Sequence, residues 1–384
     1  MIHFNRPYMT GKETEYIRRA VEGGKISGNG EYTKKCQEFF ERRYGFGKCL
    51  LTTSCTDALE MAAILSGVGP GDEVIVPSYT FVSSALAFVR QGATIVFADS
   101  RADRPGIDEE SVEALVTPRT KVIVPVHYAG VACDMDVIMS VARRHGLVVV
   151  EDAAQAVDSF YKGRALGSIG HLAAFSFHET KNVISGEGGM LVVNDPRFVR
   201  RAEIIWEKGT NRAEFFRGEV NKYGWVDTGS SFLPTEIVSA FLWAQLERLD
   251  DIQAERRRIW NRYLDFFSGF DAGVGLPVVP EYATNNAHMF YLLFPDLARR
   301  TDFIAKMRER DILSVFHYLP LHSSEFYLGY EKTHAPSVPR RPLPNCDRYA
   351  DTLARLPLYC GLGADQDKVL SSMGAILGKT GAGI

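Results

Sequence analysis

Lys181 stands in the part of the sequence that is richest in residues able to do chemistry. It follows the apolar run 175–177 and precedes the glycine-rich segment 186–189. Glycine has no Cβ atom, so the backbone there can approach a bound ring closely. A neutral lysine can attack an aldehyde and then carry protons, and burial beside another cation favours that neutral form. The segment therefore predicts a site for an aldehyde-bearing coenzyme.

A carboxylate follows the end of a predicted buried strand. Residues 147–150 are apolar and indicate a strand, and Asp152 comes almost directly after it. In an open α/β sheet, ligands bind beyond the carboxyl ends of the strands. A buried carboxylate is costly unless it faces a cation, and a protonated pyridine nitrogen is such a cation. We therefore expect Asp152 to pair with a coenzyme ring; the alternative is that it caps a following helix.

Hydroxyl side chains stand directly before another predicted helix. Ser54, Cys55 and Thr56 precede the helical run 57–62, so their hydroxyls and backbone N–H groups would surround the positive end of that helix. Such an end binds phosphate, although a serine or threonine in that position is most often only an N-cap. Ser176 could add a further hydroxyl, the alternative being a hydrogen-bonded core residue.

These residues need a scaffold, and the sequence up to residue 150 alternates short apolar runs with amphipathic segments. The alternation is typical of a parallel sheet with crossover helices, so we expect an α/β fold. The predicted strands are 49–51, 73–76, 94–97, 121–126 and 147–150, and the predicted helices are 13–22, 57–65, 83–90, 109–116 and 135–145.

The pattern changes in the C-terminal part of the chain. Beyond Asp195 the alternation fades, and a long helical tract with Leu246, Leu249 and Ile252 leads into a mixed pattern from about residue 269. We therefore expect two domains: a large coenzyme-binding domain of residues 1–250 with a mostly parallel sheet, and a smaller α+β domain of residues 251–384.

The composition argues against several classes of protein. Among the 384 residues, 44 Lys and Arg face 47 Asp and Glu, without the strongly basic face of a nucleic-acid binder. The six cysteines form no CxxC pair and the nine histidines show no metal-ligand spacing, so we expect no bound metal. The sequence also lacks the apolar core of a signal peptide and any run near the roughly 18 apolar residues of a membrane span. We expect a cytoplasmic protein that binds neither nucleic acid nor membrane.

Several motifs together resemble the sugar aminotransferases of the DegT/StrS family. The resemblance covers nearly the whole chain. It implies a fold-type I enzyme that depends on pyridoxal 5'-phosphate and acts on a nucleotide-linked keto sugar, as a homodimer whose partner subunit completes each site. The motifs are Glu-Asp-Ala-Ala-Gln at 151–155, Phe-Ser-Phe at 175–177, Lys-Asn at 181–182, Gly-Glu-Gly-Gly at 186–189, Pro-Ser-Tyr-Thr-Phe at 77–81, Val-His-Tyr-Ala-Gly at 126–130 and His-Tyr-Leu-Pro-Leu-His at 317–322.

The resemblance also implies roles for single residues. Lys181 would bond to the coenzyme and shuttle protons, Asp152 would pair with the pyridine nitrogen, and Gln155 would lie beside the ring near its phenolic oxygen. Phe81 would stack on the ring, and Tyr318 would contact the substrate. The phosphate would be bound by Ser54, Cys55, Thr56 and Ser176. One position departs from the family, because Ser231 stands where many relatives have an asparagine that reaches the partner's phosphate.

Within the family, segments 208–223 and 229–231 are most similar to the transaminases that form dTDP-4-amino-4,6-dideoxygalactose. The similarity implies transfer of an amino group from L-glutamate to C4 of dTDP-4-dehydro-6-deoxy-D-glucose. A loop rich in cations suits a diphosphate, the alternative being a solvated loop. The cations that we expect to bind the sugar diphosphate are Lys208, Arg212, Arg217 and Lys222.

Other functions remain open at this stage. The enzyme could aminate another nucleotide-linked keto sugar, at C3 or with the gluco configuration at C4. A coenzyme-binding protein without turnover is a further alternative. A sugar dehydratase of the same fold is disfavoured, because the resemblance implies that dehydratases carry a histidine where this chain has Lys181.

Overall fold

The computed structural model describes residues 1–334 and 341–379. The α-helices are α1 (Glu13–Glu22), α2 (Glu31–Tyr44), α3 (Cys55–Ser66), α4 (Ser83–Val89), α5 (Met135–His145), α6 (Pro196–Trp206), α7 (Arg212–Phe216), α8 (Glu236–Leu246), α9 (Leu249–Phe266), α10 (Leu297–Glu309), α11 (Glu325–His334), α12 (Pro344–Thr352) and α13 (Asp365–Leu377). The strands are β1 (Lys48–Thr52), β2 (Glu73–Pro77), β3 (Thr94–Ala98), β4 (Thr120–Ile123), β5 (Val148–Asp152), β6 (Phe160–Tyr161), β7 (Arg164–Ala165), β8 (Leu172–Ser176), β9 (Gly189–Val193), β10 (Tyr291–Leu293), β11 (Val315–Phe316) and β12 (Leu353–Arg355).

The main sheet has the order β1-β9-β8-β5-β4-β2-β3. Its pairs β3·β2, β2·β4, β4·β5 and β5·β8 are parallel, whereas β9 runs antiparallel to both β8 and β1. Parallel strands need crossover connections, which α3, α4 and α5 supply. The predicted α/β fold with a mostly parallel sheet is thereby confirmed.

Both faces of this sheet are buried, which explains the continuous apolar runs in its strands. Side chains alternate between the faces along a strand. Ile75 and Val149 contribute to one hydrophobic core, whereas their neighbours Val74, Val76 and Val150 contribute to the other. The strands are therefore fixed in register, and their carboxyl ends meet at one edge.

Helix α3 carries the start of the predicted phosphate site. Ser54 is its N-cap and accepts a hydrogen bond from the Asp57 backbone N–H through Oγ at 3.1 Å. The helix ends at Gly67, whose φ of 69° is a left-handed conformation that glycine adopts without strain. Most side chains in between are small or apolar and buried, so the helix lies directly against the sheet.

A second sheet, with the order β10-β12-β11, lies in the C-terminal part of the chain. It shares a separate hydrophobic core with α9, α10 and α13. Ile2 pairs with Ile312 and brings the N-terminus to this unit. The division at residue 250 stays a prediction, which the separate sheet and core support.

Two predicted helical segments differ from the observed ones. Residues Glu109–Leu115 form a 3-10 helix rather than an α-helix. Its buried residues Val112 and Leu115 are three apart, and the three-residue turn of a 3-10 helix places them on one face. The tract through Leu246 and Leu249 is split, because the backbone of Arg248 is not helical and α9 begins anew after it. Within the described residues, no helix is long and apolar enough to cross a membrane.

Candidate active site

A cavity of about 660 Å³ lies at the carboxyl ends of β4, β5 and β8 and at the start of α3. The structure brings together in its wall nine of the residues singled out in the sequence. Ligand sites at this edge of an α/β sheet follow from the topology, since helix N-termini and strand ends converge there. The nine are Ser54, Cys55, Thr56, Phe81, Asp152, Gln155, Ser176, Lys181 and Tyr318.

Asp152 is buried at the last position of β5. Its Oδ2 accepts a hydrogen bond from Ser84 Oγ at 2.6 Å, and its Oδ1 accepts one from the Ala154 backbone N–H at 3.1 Å. The next residues form turns before β6, so Asp152 does not cap a helix. In the described part of the chain no Lys, Arg or His lies within ion-pair distance of it. A buried carboxylate held in this way is suited to a cationic ligand.

Lys181 lies in a loop that closes on itself between β8 and β9. The Phe177 N–H donates to Gly188 O at 2.8 Å, and the Glu179 N–H donates to Gly186 O at 2.9 Å. These bonds hold Lys181 in the cavity wall. Burial lowers the pKa of Lys181 and the Arg355 guanidinium lowers it further, while Cys55 and Asp152 act in the opposite direction. The lysine is thereby shifted toward the neutral, nucleophilic form.

The start of α3 forms another part of the cavity wall. Thr56 Oγ1 lies 2.7 Å from Ser83 Oγ, so two hydroxyls converge beside the first turn of the helix. Gly189 at the start of β9 allows the sheet to approach this turn, because a Cβ atom there would collide with the backbone of Ser54 and Cys55. Ser54 is the N-cap of α3, as the alternative predicted, and it also lines the cavity.

Another part of the cavity wall is formed by the amide of Gln155 and the rings of Phe81 and Tyr318. Gln155 Oε1 accepts from the Ala129 backbone N–H at 2.6 Å, and its Nε2 donates to the Tyr318 hydroxyl at 3.3 Å. The Phe81 ring lies 6.0 Å from the Tyr318 ring, centroid to centroid, and is 55% exposed. The exposed face of Phe81 is available to stack on a flat ligand.

Some residues of the site were not found in the sequence. Ser84 donates to Asp152 and is itself 2.9 Å from Thr80 Oγ1. His317 lines the cavity, and its Nδ1 lies 2.7 Å from the Tyr128 hydroxyl. Ser84 and Thr80 stand in or just after the 77–81 motif, so their hydroxyls were a usable signal. The hydrogen bonds that connect Thr80 and Ser84 to Asp152 can be seen only in the folded structure.

The remaining predicted residues lie elsewhere. Lys208, Arg212 and Ser231 line a second cavity of about 500 Å³, together with Lys25 and Lys34. This second cavity shares no lining residue with the first. It contains one acidic side chain, Glu207, whose Oε2 lies 3.8 Å from the Arg212 guanidinium.

Two of the predicted cations are not brought to the second cavity. Arg217 forms ion pairs with Glu203 at 2.8 Å and with Glu219 at 2.7 Å. Lys222 is exposed in the stretch between α7 and α8. Because two carboxylates already compensate its positive charge, the Arg217 guanidinium should attract a diphosphate less strongly than an unpaired guanidinium would.

The first cavity fits pyridoxal 5'-phosphate on three chemical grounds. Asp152 is a buried acceptor for a pyridinium N–H, and Lys181 is an amine with a lowered pKa that can react with the aldehyde. The hydroxyls and the backbone N–H groups at the start of α3 are donors for the phosphate. The donor set therefore matches the coenzyme that the sequence resemblance implies.

Two known proteins are similar to this chain over nearly their whole length. The chain is 34% identical over 381 residues to the spore coat polysaccharide biosynthesis protein SpsC of Bacillus subtilis, covering 96% of this chain and 95% of that protein. It is also 34% identical to GDP-perosamine synthase of Caulobacter vibrioides, over 97% of each chain.

A solved structure and a family profile complete the comparison. The candidate sugar aminotransferase Spr1654 from Streptococcus pneumoniae, in its PMP form, superposes with a TM-score of 0.89 at 26% identity, covering 99% of this chain and 100% of that one. The profile of the DegT/DnrJ/EryC1/StrS aminotransferase family matches residues 7–374. The chain belongs to this family and is a pyridoxal-phosphate-dependent nucleotide-sugar aminotransferase.

Proposed function

We propose that this enzyme transfers the amino group of L-glutamate to C4 of dTDP-4-dehydro-6-deoxy-D-glucose and forms dTDP-4-amino-4,6-dideoxy-D-galactose. The observation that carries the proposal is the similarity of segments 208–223 and 229–231 to transaminases with this reaction. Lys208, Arg212 and Ser231 from these segments line one cavity that is rich in cations.

Lys181 is the proposed attachment point of the coenzyme and the group that moves protons. When bound, the coenzyme supplies an electron sink and a temporary carrier for the amino group. With the coenzyme bound, Lys181 would take the proton from Cα of the donor in the first half-reaction and would give a proton to C4 of the sugar in the second. Its lowered pKa supports this role, because a neutral amine is needed to accept a proton.

Asp152 and Ser84 orient the ring in this proposal. Asp152 would bind the pyridine N–H of the coenzyme, and the 2.6 Å hydrogen bond from Ser84 holds the carboxylate in place. Gln155, which is fixed by its bonds to Ala129 and Tyr318, would lie beside the ring. Ser54, Cys55, Thr56 and Ser176 would bind the phosphate, and Phe81 would stack on the ring and exclude water.

A homodimer is the second part of the proposal. Trp225 is 85% exposed, and Phe216, Tyr223 and Val226 of the same stretch are exposed as well. Clustered exposed apolar side chains of this kind commonly mark an interface. Among the described residues, Lys181 does not line the cationic cavity with Ser231, and Lys181 is the only Lys or Arg that lines the first cavity. In such a dimer, the Lys181 cavity of one subunit would face the cationic cavity of its partner. Each active site would then have both the residues for the coenzyme and the cations for the diphosphate.

A GDP-linked keto sugar is the second candidate substrate, because one relative at 34% identity is a GDP-perosamine synthase. The test incubates the coenzyme-loaded enzyme with L-glutamate and either the dTDP-linked or the GDP-linked 4-keto-6-deoxy sugar. We expect a 4-amino product with the galacto configuration, identified by NMR, from the dTDP substrate. Turnover of the GDP substrate alone would refute the nucleotide assignment, and a C3-amino or gluco product would refute the position or the configuration.

A further inference from the structure

The side chain of Asn182, the residue directly after Lys181, is buried, and both polar atoms of its amide have partners. It is 6% exposed. Its Nδ2 donates to Gln253 Oε1 and to the Asn286 carbonyl oxygen, each at 2.8 Å, and its Oδ1 lies 2.9 Å from His288 Nδ1. These partners belong to α9 and to the segment just before β10. The chain directly after Lys181 is therefore held by segments that are distant in the sequence.

The same contacts fix which nitrogen of the His288 ring carries a proton. A backbone carbonyl only accepts hydrogen bonds, so the Asn182 atom that faces the Asn286 carbonyl must be the NH2 group. The amide oxygen then faces His288 Nδ1, which must carry a proton in order to donate to it. Burial lowers the pKa of His288 well below its usual value, and the nearby cations, Lys181 among them, lower it further. His288 is therefore a neutral ring that donates its one N–H to Asn182.

Asn286 connects this network to a second part of the active-site wall. Its Nδ2 donates to the Gln155 carbonyl oxygen at 2.8 Å, and its Oδ1 accepts from the His288 backbone N–H at 3.0 Å. One short segment thus supports the backbone of Gln155 and, through Asn182, the backbone after Lys181. Two residues on different sides of the site share the same buried support.

We propose that His288 is a positioning residue for Lys181 and acts by holding the Asn182 amide; this inference rests on the proposed role of Lys181 in proton transfer. Among the described residues, His288 is not part of the lining of the first cavity, so it acts through Asn182 and not on a substrate. Lys181 has to reach the reacting carbons of two different substrates in turn. A displacement of about 1 Å at such a group can cost about 100-fold in rate.

The test separates the two ring nitrogens of His288. Asparagine places an N–H near the position of Nδ1, whereas glutamine places its amide near the position of Nε2. H288N should therefore keep the bond to Asn182, and H288Q should lose it. Coenzyme-loaded wild type and variants are mixed with L-glutamate that carries hydrogen or deuterium at Cα, and the rate of the absorbance change is measured. We expect H288Q to be slower by about 100-fold, with removal of the Cα proton limiting the rate, whereas H288N should stay close to the wild type.

A readout that needs no turnover is the visible circular dichroism of the bound coenzyme, which reports how rigidly Lys181 holds the ring. H288Q should reduce this signal, and H288N should retain it. H171Q is the matched control, because His171 also uses Nδ1, as the acceptor of the Val149 N–H at 2.9 Å, and lies outside the described lining of the cavity. It should lower Tm without changing the rate or the visible signal.

Asn182→Ala removes the same hydrogen bond from its other side. It should slow proton removal as much as H288Q does, and the double variant should be no slower than Asn182→Ala alone, because the two residues act as one unit. Should both His288 variants fail to fold, slowed proton removal in Asn182→Ala supports the assignment, and a wild-type rate overturns it.

Three results would overturn the role of His288: an H288Q enzyme as fast as the wild type, an H288N enzyme as slow as H288Q, or effects that multiply in the double variant. A wild type that does not react with L-glutamate would instead refute the proposed donor. The visible circular dichroism of the coenzyme-loaded variants would then decide the role of His288.

Discussion

The hydrogen bond from Ser84 to Asp152 gives the sharpest test of how the coenzyme ring is held. The bond is 2.6 Å long, buried, and made to the carboxylate that we propose as the partner of the pyridine nitrogen. A hydrogen bond to a charged group contributes about 1.5–3 kcal/mol. At 1.4 kcal/mol per factor of ten, Ser84→Ala should raise the coenzyme Kd by roughly 10- to 150-fold.

The assay is a titration of coenzyme-free enzyme with pyridoxal 5'-phosphate, followed by absorbance, with the free energy of unfolding measured in parallel. Ser159→Ala is the matched control, because Ser159 is also a buried serine but its hydroxyl has no partner in the described residues. We expect Ser159→Ala to leave the coenzyme Kd unchanged. A Ser84→Ala enzyme that binds the coenzyme as tightly as the wild type would refute the role of Asp152 as a ring partner held by Ser84.

Three further predictions follow from the same site. Burial lowers the pKa of Lys181, so between that value and its ordinary 10.5 the unfolded chain binds more protons than the folded one. The coenzyme-free enzyme should therefore gain stability as pH rises through this window, and Lys181→Met should flatten the dependence in denaturant titrations. Arg212→Ala should raise the sugar KM by about tenfold or more, as expected for one lost charge-assisted contact. Arg217→Ala should change it less, because Glu203 and Glu219 hold that guanidinium; equal effects in steady-state kinetics would refute the distinction. Gly189→Ala should abolish measurable coenzyme binding while the protein stays folded by circular dichroism, because its Cβ would collide with the backbone at the start of α3.

The sequence predicted well those parts of the site that follow directly from a strand or begin a helix. Asp152 and Ser176 end buried strands, and Ser54 begins a helix, so an apolar run or a capping pattern marks each position. The topology then brings the carboxyl ends of parallel strands to one edge. The main sheet could be predicted for the same reason, since strands buried on both faces are continuously apolar.

Interactions between distant segments could not be predicted in this way. Arg355 looks like an ordinary arginine in the sequence, and its burial, without an ion pair among the described residues, is visible only after β12 is placed between β10 and β11. Arg217 resembled the other cations of its loop, and only the fold shows its ion pairs. The separation of Ser231 from the Lys181 cavity likewise depends on tertiary packing.

The charges of the two cavities also explain how one lysine can serve two substrates in turn. Both proposed substrates are anions, but the carboxylate of glutamate lies next to the reacting carbon, whereas the diphosphate of the sugar lies beyond the sugar ring. Lys208 and Arg212 line a cavity that shares no described lining residue with the cavity of Lys181. The diphosphate of the sugar can thus be held by its own cations while the reacting carbon of either substrate occupies the same place beside Lys181. Ping-pong kinetics should follow, with dTDP competing against the sugar. An Arg212→Ala enzyme with an unchanged inhibition constant for dTDP would show that the second cavity does not hold the diphosphate.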